Sequence, residues 1–431
     1  MVTFFYLKKS CVLSFIYWIL SLFEKSLWLH YPFHCVTVDL LDSSTKKTRH
    51  FACCYEQKFV FRFTLSVPIF TLARLGRVWY DSRMKQHVVS KLSRSVLSLT
   101  REYRERGYFP SASVRIFDRD QTLAVAVAGD AKPESVFDVA SLTKIATASQ
   151  VFFLIGQNAL SLDGLVLNHL PELSGDALLR ERLGTVTLKK LLTHTSGLAD
   201  WYPFYAESGN FVNVLHIALA RCEPVKGAVY SDLNFMLLGK VIERAAGIPL
   251  EKCLQTLLVD PLGLCNMAYI PAPGWDIIPS CYGNPIEEEM CAQRCISFTG
   301  WRNHEPVCGE ANDGNAFYFF NGVAGSAGIF AEPLAYQRLC QYYLNTDSPL
   351  FVKAQLEHAP TRGLGFQVGE LYPYGCGHTG FTGTSIYLSR KLNIGVVAFT
   401  NRLFYKEPNL NSTNDFRHAL HSAVAAIVQE I

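Results

Sequence analysis

Ser141 and Lys144 stand three residues apart in Ser141-Leu142-Thr143-Lys144, just ahead of a run, residues 145–155, that holds no helix breaker. Residues three apart on a helix share a face, so the lysine amine can reach the serine hydroxyl. An amine held there can take or relay the serine's proton and make a weak nucleophile competent. The helix start adds backbone N–H groups and a positive dipole end, both favourable to an oxyanion forming on an attacked carbonyl. Alone, S-x-x-K is a common string, and an ordinary helix start accounts for it at least as well.

Other stretches offer partners. Tyr230-Ser231-Asp232 precedes a buried-looking helical segment, residues 235–243. A tyrosine at that mouth can act as base or proton shuttle if nearby cations lower its pKa from about 10, or can simply cap a core helix. Gly377-His378-Thr379-Gly380-Phe381-Thr382-Gly383-Thr384 is a glycine-dense turn feeding a strand. Such a turn lets backbone approach a ligand and offers N–H groups to an oxyanion; a plain β-turn is equally open. His194, in Thr193-His194-Thr195-Ser196-Gly197, could be catalytic, but fixing a loop by hydrogen bonds fits it better. Residues 321–330 are glycine-rich without the Gly-Lys-Ser/Thr ending of a phosphate loop, which excludes nucleotide binding there.

Thirteen cysteines show neither a C-x-x-C nor a spaced Cys/His set, so no zinc or other metal site is expected, and no cofactor. Their odd number leaves at least one free thiol; Cys291 and Cys295 could pair. The net charge of +3 gives no reason to expect nucleic acid as a partner. That charge is uneven: residues 1–86 hold twelve Lys/Arg against five Asp/Glu.

The elements that must position these residues divide the chain in the same place. Residues 1–86 form a hydrophobic and basic N-terminal segment. Residues 11–23 are an uncharged run behind Lys8-Lys9, short for a membrane span but suited to a signal h-region or anchor. A signal-anchor, an atypical export signal and a non-structural extension are all open. Residues 24–86 show no clean period, and poor order is expected there. From residue 88 the pattern is regular. A helix runs to Arg106, where Gly107 stops it. Residues 112–117 and 122–128 read as a β-hairpin, and residues 384–388 and 394–399 as further strands. Residues 416–428 have the period of a C-terminal helix. Residues 151–270 are mostly helical, most strongly at 188–192 and 234–246, and 271–315 look like a long irregular connection. Strands at both ends of a helical middle indicate an α/β (α+β) fold: an antiparallel sheet flanked by helices, with an all-helical insertion at about 151–300 inside residues 87–431.

In order and spacing, Phe137-Asp138-Val139-Ala140-Ser141-Leu142-Thr143-Lys144, residues 191–198, Tyr230-Ser231-Asp232 with Leu237-Leu238-Gly239, residues 323–330 and His378-Thr379-Gly380 resemble the serine β-lactamase and penicillin-binding-protein superfamily. The resemblance covers roughly residues 90–430. It is nearest to the D-alanyl-D-alanine carboxypeptidase-like members of the class C-like branch, an impression that residues 310–316 strengthen. It implies a β-lactamase/transpeptidase-like fold with Ser141 as the acylated nucleophile. Lys144 and Tyr230 become the proton-transfer pair, and the N–H groups of Ser141 and Phe381 the oxyanion hole. Thr379, Gly380 and His378 would face substrate, with His378 toward its carboxylate.

Two departures bear on activity. His378 replaces the usual lysine, so a permanent charge gives way to one expected to titrate near pH 6.5. Asp232 stands where many relatives carry asparagine; an ionised carboxylate cannot donate to substrate, but it can pair with Lys144. Both changes speak against efficient β-lactam hydrolysis and less against peptidase or esterase chemistry. The expected protein is a serine hydrolase of D-Ala-D-Ala-ended peptidoglycan peptides. A small-ester hydrolase, a weak β-lactamase and a non-catalytic penicillin-binding-like scaffold are the alternatives. Its partners would be small molecules or peptides, with membrane contact through residues 11–23. A periplasmic or inner-membrane-anchored location in a bacterium follows, the cytoplasm being the other option.

Overall fold

The structure is a computed structural model that describes residues 35–42, 47–54, 69–406 and 411–430. It divides into two units, Met1–Met84 and Lys85–Ile431. In the first, β1 (Cys35–Asp42) pairs antiparallel with β2 (Lys47–Cys54), Cys35 opposite Cys54 and Asp42 opposite Lys47. Helix α1 (Ile69–Glu105) also starts well before residue 88. Strands and a helix start thus occur at these residues, where the sequence showed no clean period. Val36, Val38 and Leu40 alternate as a strand requires, and Pro68 is a helix-start signal ahead of a stretch with no further proline. Residues 11–23 lie outside the described residues, among which no helix is long and apolar enough to cross a membrane.

The second unit is built on a six-stranded antiparallel sheet. Its labelled elements, in chain order, are β3 (Ala112–Phe117), β4 (Thr122–Ala128), α2 (Thr143–Gly156), α3 (Phe211–Arg221), α4 (Asp232–Ala246), α5 (Pro333–Asn345), β5 (Gln367–Val368), β6 (Cys376–Thr379), β7 (Ser385–Ser389), β8 (Ile394–Thr400) and α6 (Thr413–Val428). The strand order is β5-β6-β7-β8-β3-β4. Late strand β8 pairs with early strand β3, Gly395 opposite Phe117 and Thr400 opposite Ala112, so the two ends of the unit close one sheet around the helical middle. The β3–β4 turn is held by Asp118, whose Oδ1 accepts the N–H groups of Asp120 and Gln121 at 2.9 and 2.8 Å.

Both faces of the sheet are covered, and the strands show it by period two. Val114, Ile116, Val396 and Ala398 pack beneath Val88, Leu92 and Val96 of α1 and Phe416, Leu420 and Val424 of α6. Phe117, Ile386, Leu388, Val397 and Phe399 point the other way, into the larger core made with α2, α4 and α5. Residues 271–315 are less irregular than expected. A helix spans Pro285–Gln293, and Cys281–Tyr282 pairs with Pro306–Val307. Cys291 and Cys295, which could have paired, are both free thiols. Cys291 is buried 3.6 Å from the Tyr205 hydroxyl, whereas Cys295 follows the helix end and is exposed.

Candidate active site

The turn that carries Ser141 is fastened from below. Ala140, the residue before it, has φ +46°, a conformation uncommon for any residue but glycine. Asp138 holds that geometry. Its Oδ1 accepts the Ala140 N–H at 2.8 Å and its Oδ2 the Asn312 N–H at 2.7 Å, with the residue only 3% exposed. Burial pushes the Asp138 carboxyl up to about 6, against those two N–H bonds and the nearby Arg302. A short 3-10 turn, Ala140–Leu142, then runs into α2 and sets Ser141 and Lys144 on one face.

Lys144 is fully buried and its charge is matched on three sides. Nζ donates to Ser141 Oγ at 3.0 Å and to the Ser326 carbonyl at 2.8 Å, and lies 2.7 Å from Asp232 Oδ1. Two of the three N–H donors of the ammonium are thus taken by hydrogen bonds, and the Asp232 carboxylate supplies the opposite charge. Burial opposes the charge, but the attraction of Asp232 and then of Tyr230 outweighs it, and the amine is held above its ordinary range. The pairing of Asp232 with Lys144, open to an aspartate but not to asparagine as a charge, is thus present.

The Ser326 carbonyl arrives there through a close crossing of α4 and the 321–330 loop. A Cβ on Gly325 would sit 2.2 Å from the Phe235 carbonyl and 2.8 Å from Gly239 N, so two glycines let the chains touch. The glycine content of that loop serves packing, and Thr147 Oγ1 donates to the Gly325 carbonyl at 2.7 Å in the same crossing.

Tyr230 is half-buried with its ring 5.1 Å from Lys144 Nζ and 5.3 Å from the Arg362 guanidinium carbon. Against the expectation that nearby cations lower it, the Tyr230 phenol is raised: burial pushes it up and Asp232 adds to that, while Lys144 and hydrogen bonding with Lys144 and Ser141 pull it down without reversing the shift. His194 and His378 flank the tyrosine, with ring centroids 4.7 and 5.9 Å away.

His378 departs from the expectation of a cation titrating near pH 6.5. It is 1% exposed, and burial, followed by the charge of Lys144, pushes it down to about 3. Its Nδ1 lies 2.9 Å from the Thr379 carbonyl, which can only accept, so Nδ1 holds the proton of a neutral ring. Besides Lys144, a second cation lies near Tyr230: Arg362, which no sequence motif singled out. Burial lowers its pKa from 12.5, with Tyr230 and then Tyr372 opposing, and a guanidinium keeps its charge in proteins.

The glycine-dense turn docks onto the nucleophile's own strand. Thr379 is paired with Ser385, and beyond it Thr382 Oγ1 donates to the Asp138 carbonyl at 2.8 Å and Thr384 Oγ1 to that of Val139 at 2.9 Å. A side chain on Gly380 would collide with Thr384 Oγ1 at 2.0 Å. From α6, buried Arg417 donates to the carbonyls of Gly380 and Thr384, both at 2.9 Å. The Phe381 carbonyl accepts from Arg402 Nε at 2.7 Å, and its ring is exposed at 38%.

The fold therefore brings Ser141, Lys144, Tyr230, Asp232 and His378 into one cluster and fixes the Gly380-Phe381 turn to the backbone just ahead of the serine. Sequence reasoning missed Arg362, the Ser326 carbonyl and Asp138. Only Asp138 had left a signal, as a lone acid inside the apolar Phe137-Asp138-Val139-Ala140.

Residues 96–420 match the β-lactamase family model, and the chain belongs to that family, with its serine hydrolase-type fold. A Salmonella enteritidis protein provisionally named D-alanyl-D-alanine carboxypeptidase is 24% identical over 397 residues, which cover 79% of this chain and 88% of its own length. The N-acetylmuramyl-L-alanine amidase of Bacillus subtilis is 27% identical over 341 residues, 69% of this chain and 76% of its own. Among solved structures, EstCE1, a hydrolase with promiscuous acyltransferase activity, superposes with TM-score 0.58 at 18% identity over 78% of this chain and 99% of its own. A class C β-lactamase from Rhodobacter sphaeroides does so with TM-score 0.57 at 17% identity, over 77% and 99%. Those two identities speak to the fold alone.

Proposed function

We propose that this protein hydrolyses D-Ala-D-Ala-ended peptidoglycan peptides through an acyl-enzyme. Ser141 Oγ attacks the carbonyl carbon, and the serine proton passes to Tyr230. Lys144, held as an ammonium, stabilises the negative charge that Tyr230 must carry to accept it. The N–H groups of Ser141 and Phe381 receive the oxyanion. Tyr230 then returns the proton to the departing D-alanine nitrogen, and water, deprotonated by the same pair, releases the acyl group and restores Ser141.

The observation that carries this reading is buried Lys144, whose Nζ donates to Ser141 Oγ and to the Ser326 carbonyl with the Asp232 carboxylate 2.7 Å away. Arg362 supports a carboxylate-ended substrate, since its guanidinium lies beside Tyr230 while His378 is neutral. The names of the Salmonella and Bacillus relatives point to the same cell-wall substrates. A bacterial envelope location follows from such a substrate. The small-ester alternative draws on the neutral His378; weak β-lactamase activity and a non-catalytic scaffold complete the set.

The test compares release of D-alanine from a D-Ala-D-Ala peptide with hydrolysis of p-nitrophenyl esters and a β-lactam, with Ser141→Ala as control. Preference for the peptide and loss of turnover in Ser141→Ala are expected. Undiminished turnover in that variant would refute the mechanism. Failure of the folded protein to take up both a fluorescent β-lactam and a fluorophosphonate would favour the scaffold.

A further inference from the structure

His194 is tied to the chain on both sides of Tyr230. Its own backbone carbonyl accepts the Val229 N–H at 3.0 Å, and its Nδ1 accepts the Ser231 N–H at 3.0 Å. One residue thus clamps the peptide immediately before and immediately after the tyrosine. The clamp depends on backbone geometry: His194 has φ +56°, a left-handed turn in a loop between the helix Leu188–Leu192 and the 196–202 segment.

The side chain adds a third constraint. The His194 ring lies between Tyr230 and Phe235, with centroids 4.7 and 5.3 Å away, and the residue is 3% exposed. Asn234 Nδ2, from the first turn of α4, is 3.2 Å from the same Nδ1. An atom accepting from two N–H groups carries no proton, so the ring is neutral and protonated at Nε2. Burial, then the charges of Arg362 and Lys144, keep it so. Nothing in this geometry lets His194 hand a proton to Ser141; its side-chain hydrogen bonds and the ring contacts with Tyr230 and Phe235 all end on the segment that carries Tyr230.

We propose that His194 is a positioning residue, fixing the Tyr230 phenol against Lys144 and Ser141 through hydrogen bonds to the backbone on either side of it and a ring packed against its face. The inference rests on the reading of Tyr230 as the proton-transfer group. It differs from a structural role in one respect: its effect on turnover must act through the Tyr230 hydroxyl.

The test is a double-mutant cycle in the full chain, with a p-nitrophenyl ester as probe. His194→Phe keeps an aromatic ring and deletes the Nδ1 acceptor. A displacement of about 1 Å in a proton-transfer group costs up to about 100-fold, so kcat should fall about 10- to 100-fold while KM changes little. His194→Asn keeps an acceptor oxygen and tolerates the left-handed turn, and should recover most of that loss. In a Tyr230→Phe background, His194→Phe should have almost no further effect on kcat. An equal proportional loss in both backgrounds, or full activity in His194→Phe, overturns the proposal while leaving Tyr230 in place. If Tyr230→Phe alone leaves kcat unchanged, the proton-transfer reading falls and the positioning role falls with it. Should His194→Phe fail to fold, His194→Gly carries the same cycle, since it keeps the left-handed turn and the carbonyl bond while deleting acceptor and ring.

Discussion

Replacing Asp232 with asparagine should make the enzyme work at lower pH. The carboxylate sits 2.7 Å from a Lys144 Nζ that has no solvent exposure, and is itself 17% exposed. At an effective dielectric of about 20 that pair is worth roughly 6 kcal/mol before solvent at the carboxylate weakens it. Asp232→Asn removes the larger of the two attractions and leaves only Tyr230 to oppose burial, so the Lys144 pKa falls. Asp232 also raises the Tyr230 phenol, which falls too. The two groups titrate together, and the ascending limb of kcat/KM should move by about 2 pH units toward acid. The assay is a pH–rate profile for a p-nitrophenyl ester, from pH 5 to 10, for both proteins. A limb that stays in place or moves to higher pH would refute the argument that Asp232 sets the protonation of this pair.

Stability offers a second reading of the same variant. A buried ammonium stripped of its partner costs about 3–5 kcal/mol unless it gives up its proton. In Asp232→Asn the folded Lys144 loses its proton at lower pH than the unfolded chain does. The unfolded state therefore binds more protons across the interval between the two values, and stability rises with pH there. Denaturant midpoints of the variant should lie furthest below those of the parent near pH 6 and approach them near pH 9.

Further expectations follow from the other buried groups. His378, held down to about 3, stays neutral while the unfolded chain gains its proton below about 6.5. It therefore costs stability progressively as pH falls from about 6.5 toward 3, and His378→Asn should show a shallower acid loss in melting temperature; kcat/KM for a carboxylate-ended peptide should show no inflection from this residue near 6.5. Asp138→Ala leaves the buried Ala140 and Asn312 N–H groups without acceptors, at about 1–3 kcal/mol each. Urea unfolding should report a loss of several kcal/mol, and labelling of Ser141 by a fluorophosphonate should slow. Glu287, whose oxygens accept from Gly314 N–H and Tyr205 O–H, is pushed up by burial and then by Asp313. The unfolded chain ionises it first as pH rises from about 4.5, so its burial costs more at higher pH. Glu287→Gln should raise the melting temperature more at pH 8.5 than at pH 5.5.

The sequence by itself determined the parts whose physics is local. The spacing of Ser141 and Lys144 is a helical spacing, and a helix start places them on one face whatever surrounds them. The β3–β4 hairpin was legible residue for residue because alternation and the Asp118 turn are short-range. The order of the other segments was enough to recognise the superfamily resemblance, and strands at both ends of a helical middle pointed to one sheet in the second unit.

The tertiary structure alone decided the charges. His378 is a histidine in either reading; its neutrality follows from burial beside Lys144, which no string of letters records. Arg362 carries no motif and becomes a second cation beside Tyr230 because a loop from between α5 and β5 lands there. The Ser326 carbonyl reaches Lys144 only where Gly325 crosses Gly239. Asp138 needed Asn312, well over a hundred residues away in the chain, before its two oxygens could be seen to brace the strained turn under Ser141. Proton affinity and strain depend on what is packed within a few ångströms, and folding chooses those neighbours from across the whole chain.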